Sequence, residues 1–130
     1  MGLQNDWVMQ QIEMITRFVT QIVLNKNDSQ NEFWYEIENT DTLSDIDKLH
    51  LELTRLIKEG NICEAEDMLF DNMIFGDKYV ELATDFYKRL NLMTNEELEQ
   101  CNFSRDEVYD GYIEILTQLG IPVEQFKVSS

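Results

Sequence analysis

The stretch LIKEGNICEAEDMLFDNM, residues 56–73, decides the fold class of this chain. It contains a helical apolar pattern, a break at Gly60 and Asn61, and a second helical pattern with Ala65 on its inner face. A glycine just after the last periodic residue is typical of a helix end. The stretch therefore predicts two helices that turn back on each other at Gly60 as a helical hairpin.

Outward from this hairpin, the sequence keeps the same helical period. It predicts helices over 43–59, from residue 62 to about 73, and over 78–92, 95–101 and 105–119. Only one Pro and five Gly interrupt the 130 residues, so there are few places where a helix must stop. A chain of this length is typical of one domain. We therefore expect a single all-α domain, residues 1–130, of about five to six helices arranged as antiparallel hairpins.

Polar residues mark the predicted starts of several helices. In a capping box, the side chain of the first residue and that of the residue three positions later each accept a hydrogen bond from the other's backbone N–H. Three pairs match this pattern: Asn61 with Glu64, Thr94 with Glu97, and Ser104 with Glu107.

Residues 6–24 predict one long helix with a wide apolar face, with Asp6 as its N-cap. Such a stripe must be buried, either in the core of the chain or against another molecule, and the sequence leaves both alternatives open. The candidate interaction face, for a partner or for a homodimer, consists of Trp7, Ile12, Ile15, Phe18, Val19 and Ile22. Polar residues interrupt the stretch, so it predicts neither a signal peptide nor a membrane span, and we expect a cytoplasmic protein.

The two segments that follow predict no helix of comparable length. NKNDSQNE, residues 25–32, is a polar loop in which Asn25 and Gln30 replace the Asp and Gly of a calcium-binding loop, so we expect no calcium site. FWYEIE, residues 33–38, is expected to be a short helix or irregular, because a lone strand has no partner to pair with.

The net charge of −16 is distributed unevenly along the chain. In residues 1–26 the acids Asp6 and Glu13 balance the bases Arg17 and Lys26, so the whole charge lies in the acidic helical body, residues 43–120, and its flanks. An acidic surface repels phosphate backbones and anionic membranes, so we expect neither nucleic acid nor membrane as a partner. Basic proteins or cations would be attracted, although solubility alone also explains such a charge.

No residue pattern in the sequence predicts a catalytic, cofactor or metal site. Cys63 and Cys101 belong to no CxxC motif and are expected to be reduced, buried or half-buried thiols. His50 is the single histidine, too few for a bundle-type di-metal site, and we expect it to be a surface residue or a hydrogen-bonded core residue. The isolated glycines form no phosphate-binding loop. Acidic residues at helical spacing are interpreted as solvated faces: Glu64, Asp67 and Asp71 on one helix, and Asp106, Asp110 and Glu114 on another.

The helix pair around Gly60 resembles a tetratricopeptide repeat, which has large apolar residues, a Gly turn and an Ala at the closest approach of the second helix. Leu53, Asn72 and Asp77 depart from that pattern, and a period of about 34 residues carries Ala65 onto Glu99. At best, the chain has one repeat and a degenerate second one, fewer than the roughly three repeats that make a solenoid stable.

Over its full length, the chain resembles a family of small, functionally unassigned helical proteins from Gram-positive bacteria. The resemblance rests on NDWVMQQIEMITRFVTQIVLNK, residues 5–26, on the acidic helical pair, and on EGNICEAEDML, residues 59–69. It implies a tetratricopeptide-like right-handed array without an established activity or cofactor.

These observations favour a non-enzymatic protein interaction module. It would use the first helix or the groove beside the Gly60 hairpin to bind a protein partner or a second copy of the chain. The alternative is a domain that binds a small molecule or a metal ion through Phe33, Trp34, Tyr35 and neighbouring carboxylates. A third hypothesis is mimicry of nucleic acid by the acidic face, which would predict partner binding that is strongly weakened by salt.

Overall fold

The computed structural model describes residues 2–23, 35, 37 and 39–126, and every regular element in these residues is helical. The six α-helices and two short helical turns are α1 (Gly2–Phe18), a π-helical turn (Val19–Val23), α2 (Asp45–Lys58), α3 (Ile62–Asp71), α4 (Asp77–Asn91), α5 (Asn95–Gln100), α6 (Arg105–Gln118) and a 3₁₀ turn (Glu124–Phe126). The all-α prediction is confirmed for this part of the chain. The predicted calcium-like loop at 25–32 and most of the segment 33–38 lie outside the described residues, while Tyr35 and Ile37 have no regular secondary structure.

The predicted boundaries of α2 to α6 lie within two residues of the observed ones, but the prediction for the first helix was wrong at its start. α1 begins at Gly2, so Asp6 is an exposed residue within the helix and not its N-cap. The predicted end at Leu24 lies outside the described residues, and the last described turn, Val19–Val23, is π-helical.

Two of the three predicted capping boxes are present, at Thr94 with Glu97 and at Ser104 with Glu107. The third was wrong, because Asn61 makes no side-chain capping bond to α3. An N-cap residue needs extended backbone angles, whereas Asn61 has φ −96° and ψ 60°, and its N–H donates to the carbonyl of Leu56 at 2.9 Å. The hairpin turn therefore fixes the Asn61 backbone in a conformation that does not allow capping.

The helices pack around α4, which contacts α1, α2 and α6. α2 and α3 form the predicted hairpin, and Gly60 between them has φ +83°, a left-handed conformation that favours glycine. α1 contacts α6, so the first and last of these α-helices lie side by side.

Three tyrosines and a phenylalanine are the largest fully buried side chains of the core: Tyr79, Tyr87, Tyr112 and Phe86. A buried tyrosine needs a hydrogen-bond partner for its hydroxyl group. The Tyr79 hydroxyl donates to the carbonyl of Leu69 at 2.5 Å, and the Tyr112 hydroxyl lies 3.2 Å from Oγ1 of Thr16. These bonds connect α4 to α3 and α6 to α1.

Candidate functional site

The structure divides the candidate interaction face of α1 and its π turn into a buried and an exposed part. Ile12, Ile15 and Val19 are each 0% exposed and belong to the core of the chain. These three side chains cannot form a surface while the chain keeps this fold. Trp7 is 45% and Ile22 is 67% exposed, so both remain accessible.

Phe18, the remaining residue of the candidate interaction face, is half-buried. Its ring packs edge-on against Phe126 with 5.5 Å between ring centroids. Phe126 belongs to the 3₁₀ turn after α6, so a segment more than a hundred residues away in sequence covers this part of the stripe.

An open groove of about 570 Å³ lies beside the Gly60 hairpin, at the end of α2 and α3 that is remote from the turn. It is lined by Asp45, Ile46, Lys48, Leu49, Glu52, Met68, Asn72, Met73 and Ile74. The groove thus combines the start of α2 with the end of α3 and the residues that follow it.

The groove exists because the hairpin buries its apolar residues unevenly. Near the turn, Leu56, Ile62 and Ala65 are fully covered. Far from the turn, the apolar side chains of the groove are only partly covered: Ile46, Leu49, Met68 and Met73. Methionine side chains adapt to differently shaped partners. The groove floor is therefore an apolar and deformable surface.

The loop after α3 extends this apolar surface. Ile74 is 49% exposed and lines the groove, and the next residue, Phe75, is 75% exposed. Isolated exposed apolar residues are ordinary, but a contiguous exposed patch marks an interaction site. Ile74 and Phe75 follow α3 and have no periodic signal, so the helical pattern of the sequence does not indicate them.

The charged residues of the groove lie at its rim. Asp45 and Glu52 are acidic and Lys48 is basic. Arg55 donates to Glu52, and this hydrogen bond lowers the pKa of the Glu52 carboxyl. The rim itself is therefore weakly acidic, within a chain whose net charge is −16.

The opposite side of α2 contacts a buried polar cluster, which we define as Tyr35, Asp47, His50, Asp85 and Arg89. The Tyr35 hydroxyl donates to Oδ1 of Asp47 at 2.5 Å, and its backbone N–H donates to Oδ1 of Asp85 at 3.1 Å. Nε of Arg89 donates to Oδ2 of Asp85 at 2.7 Å. Nδ1 of His50 lies 3.7 Å from the same oxygen. His50 is thus buried and not a surface residue, but its distance to Asp85 is longer than a hydrogen bond.

Hydrogen bonding and burial shift the pKa values of two residues in this polar cluster. The hydroxyl of Tyr35 holds the pKa of Asp47 below its ordinary value, because a hydrogen bond to a carboxylate favours the charged form. Burial lowers the pKa of His50, and the negative charge of Asp85 offsets only part of that effect. His50 is therefore neutral at pH 7.

The ring of Tyr35 is buried between a histidine and a lysine. Its ring stacks on His50 with 4.5 Å between centroids, and Nζ of Lys78 lies 4.4 Å from the ring centroid. Phe33 and Trp34, its companions in the predicted ligand site, lie outside the described residues. The gap between His50 and Asp85 has no volume open to a water molecule. In this structure the polar cluster holds α2 against α4.

The remaining candidate residues are dispersed. Cys63 is exposed, which corrects its predicted burial, and Cys101 is half-buried as expected. The two acidic faces are confirmed as solvated.

Among the described residues, no three His, Cys, Asp or Glu side chains are grouped closely enough to hold a metal ion. In the same part of the chain, no helix has the length and apolar character needed to cross a membrane.

Comparison with known families agrees with the expectation of an unassigned helical family. The sequence profile of DUF6483, a family of unknown function, matches residues 2–120. The chain belongs to the DUF6483 family. No curated protein and no solved structure matches it. The match spans α1 to α6 and therefore includes both the groove and the polar cluster of this DUF6483 protein.

Proposed function

We propose that this DUF6483 protein is a non-enzymatic interaction module whose groove beside the Gly60 hairpin binds a basic amphipathic helix of a partner protein. The observation that carries the proposal is the partly exposed apolar floor of Ile46, Leu49, Met68 and Met73 within a strongly acidic chain. Binding an amphipathic helix in an apolar groove is a recurring mode of peptide recognition.

The groove is a better candidate for the binding site than the apolar stripe on α1. Three of the six residues of that stripe are fully buried, whereas every apolar residue that lines the groove is at least partly accessible. The flexible methionines and the exposed Ile74 offer apolar area that a partner helix would cover.

The charge of the molecule supports a basic partner. With 26 acidic and 10 basic side chains, the chain attracts cations over a distance and repels acidic proteins. Charge of this kind increases the rate of association and selects among partners more than it sets the final affinity. We therefore propose that basic residues flank the apolar face of the partner helix.

Three further features of the sequence belong to the same proposal. The resemblance of the hairpin to a tetratricopeptide repeat supports a right-handed, tetratricopeptide-like array. The resemblance to proteins of Gram-positive bacteria supports a bacterial, cytoplasmic setting. The acidic charge supports a protein partner in place of nucleic acid or membrane.

Fluorescence anisotropy with two synthetic peptides would test the proposal. Both peptides present the same row of leucines on one helical face, and they differ only in having lysines or glutamates on the other face. We expect the lysine peptide to bind and the glutamate peptide not to bind. Added salt should weaken the interaction, because the charges that steer it are solvent-exposed.

Two variants then locate the binding site. Met73→Glu should abolish peptide binding, because it places a charge on the apolar floor, whereas Leu92→Glu should not. Leu92 is 63% exposed and does not line the groove, so it is the matched control. Equal binding by both variants would exclude the groove. Failure of wild-type protein to bind either peptide, together with stabilisation by a metal or a metabolite in a thermal-shift panel, would favour the alternative ligand-binding domain.

A further inference from the structure

The outer face of α1 has a second apolar surface that the proposed groove does not use. Trp7 and Met14 are each 45% exposed, and Ile22 in the π turn is 67% exposed. Trp7 and Met14 are seven residues apart, two turns along one face of the helix. α4 and α6 pack against the opposite side of α1, so these side chains face away from the core.

The π turn brings Ile22 close to the same row. In a regular α-helix, residue 21 would follow residues 7 and 14. A π turn forms its hydrogen bonds one residue further along the chain and so contains one extra residue. Ile22 therefore lies near the row of Trp7 and Met14, where residue 21 would lie in a regular α-helix. The outer apolar row of Trp7, Met14 and Ile22 is thus nearly continuous over about 22 Å, given a rise of about 1.5 Å per residue.

Charge makes this face unlike the rest of the molecule. Residues 1–26 have a net charge of zero, and the remainder of the chain carries the full −16. Two copies that approached each other through their acidic bodies would repel each other. A second copy therefore meets less repulsion at the outer face of α1 than at the acidic body.

The row is also self-complementary. Trp7 lies seven residues before Met14, and Ile22 lies eight residues after it. If two copies of α1 packed antiparallel with their centres near Met14, Trp7 of each copy would therefore lie opposite Ile22 of the other. Glu13 and Arg17 are exposed and flank the centre. The same register brings Glu13 of one copy near Arg17 of the other, so unlike charges face each other. A two-fold interface requires this kind of self-complementary surface.

We propose that this protein forms a homodimer in which α1 packs antiparallel on α1 of a second copy, around a two-fold axis near Met14. The interface consists of the outer apolar row and the two pairs of Glu13 with Arg17. It leaves the groove beside the Gly60 hairpin open in both copies.

Sedimentation velocity over a range of protein concentrations would test the dimer. Wild-type protein should show a reversible monomer–dimer equilibrium. Met14→Glu places two like charges at the axis and should raise the dimer dissociation constant by about tenfold or more. Leu51→Glu, at an exposed leucine of α2, a helix that packs on α3 and α4, should leave the dissociation constant unchanged. Unchanged melting temperatures would show that each variant keeps its fold.

A charge exchange tests the register itself. Arg17→Glu should weaken the dimer because it opposes like charges, and the double variant Glu13→Arg with Arg17→Glu should restore it. Restoration separates the interface from the contacts that Arg17 makes within its own chain. Wild-type protein that stays monomeric at every concentration would overturn the proposal. So would a dimer that survives Met14→Glu, or one that is lost in the groove variant Met73→Glu.

Discussion

Gly111 lies in the middle of α6, where the helix has no room for a side chain. A Cβ atom at this position would collide with the Glu66 carboxylate and would lie 2.6 Å from the hydroxyl oxygen of Tyr87. Those two groups are themselves bonded, because the Tyr87 hydroxyl donates to Oε2 of Glu66 at 2.5 Å. Gly111 therefore allows side chains of α3 and α4 to meet against the backbone of α6.

Gly111→Ala should lower the free energy of unfolding by about 1–2 kcal/mol, because the cost of overpacking exceeds the better helix propensity of alanine. Urea denaturation would measure the change. In a Glu66→Ala background the same substitution should cost less, because the nearest obstacle has been removed. An increase in stability on Gly111→Ala would show that the neighbouring side chains can move aside.

His50 should make the stability of the protein depend on pH just below neutrality. The charged or titratable groups that face it are Asp85, Arg89, Asp47 and Lys78, and burial is the largest cause of its lowered pKa. The unfolded chain therefore takes up a proton near pH 6.5, while the folded chain takes it up only at lower pH. Between these two pKa values the unfolded state binds more protons, so the free energy of unfolding falls as the pH falls.

Urea denaturation midpoints, measured from pH 7.5 downward, would test this dependence in wild type and in His50→Gln. The chain has no other histidine, so the difference between the two curves reports His50. We expect wild-type stability to decrease relative to the variant as the pH falls below 6.5. Asp47 should add a second loss below pH 3.8, because its pKa is lowered in the folded state. Parallel curves near pH 6 would contradict the role of His50.

At the scale of the elements, side-chain caps define where several helices begin. Ser44 with Asp47 forms a third capping box at the start of α2, with the Asp47 N–H donating to Oγ of Ser44 at 3.1 Å. The sequence contains this signal, a Ser followed three residues later by an acid, but the apolar period predicts a helix that begins earlier, at Leu43. Asp47 thus caps α2 with one carboxylate oxygen and accepts from Tyr35 with the other.

Replacing a capping side chain with alanine should destabilise the protein at an observed capping box but not at Asn61, where the predicted cap is absent. Ser104→Ala should lower the free energy of unfolding by about 1 kcal/mol, because its hydroxyl accepts from the N–H of Glu107. Asn61→Ala should have a much smaller effect, because Asn61 makes no side-chain capping bond. Thermal or urea denaturation of the two variants would measure the difference. Equal losses would mean that Asn61 caps α3 in solution.

Arg105 connects α6 to the end of α4. Its guanidinium is buried and donates to the carbonyls of Asn91 and Met93, each at 2.8 Å, and to Oδ1 of Asn95 at 2.8 Å. Carbonyls at the end of a helix lack partners within the helix, so a buried donor stabilises them. One side chain thereby joins three consecutive elements.

Arg105→Lys should lower the free energy of unfolding by about 1–3 kcal/mol, because an ammonium group cannot reproduce the planar set of donors. Chemical denaturation would measure the loss. Arg55→Lys is the matched control, since Arg55 forms exposed ion pairs with Glu52 and Glu59, and we expect little measurable change there. Similar losses in both variants would contradict a special role for Arg105.

At the scale of the whole molecule, the charge of −16 opposes folding, because the compact state brings like charges together. Raising the salt concentration screens this repulsion. We therefore expect the melting temperature, followed by circular dichroism, to rise when NaCl is added at low ionic strength. Potassium chloride should have the same effect, because screening does not depend on the cation. A fall in melting temperature would mean that favourable ion pairs outweigh the repulsion.

Sequence and structure differ most clearly at residues that are brought together from distant parts of the chain. Tyr35 contacts Asp47 and Asp85 in one buried cluster, although they are 12 and 50 residues away from it in sequence. No local pattern marks such a meeting. The same holds for the groove, whose openness depends on how far α3 covers α2.

The sequence by itself determined the helices, their boundaries from α2 onward, two capping boxes and the uneven charge, because apolar periodicity and capping depend on residues three or four positions apart. Only the tertiary structure decided that Ile12, Ile15 and Val19 lie in the core while Trp7 and Ile22 stay accessible. A wide apolar helix face looks the same in sequence whether its own chain or a partner covers it. Its burial was decided by α4, α6 and the segment that ends at Phe126, which reach α1 only when the chain folds.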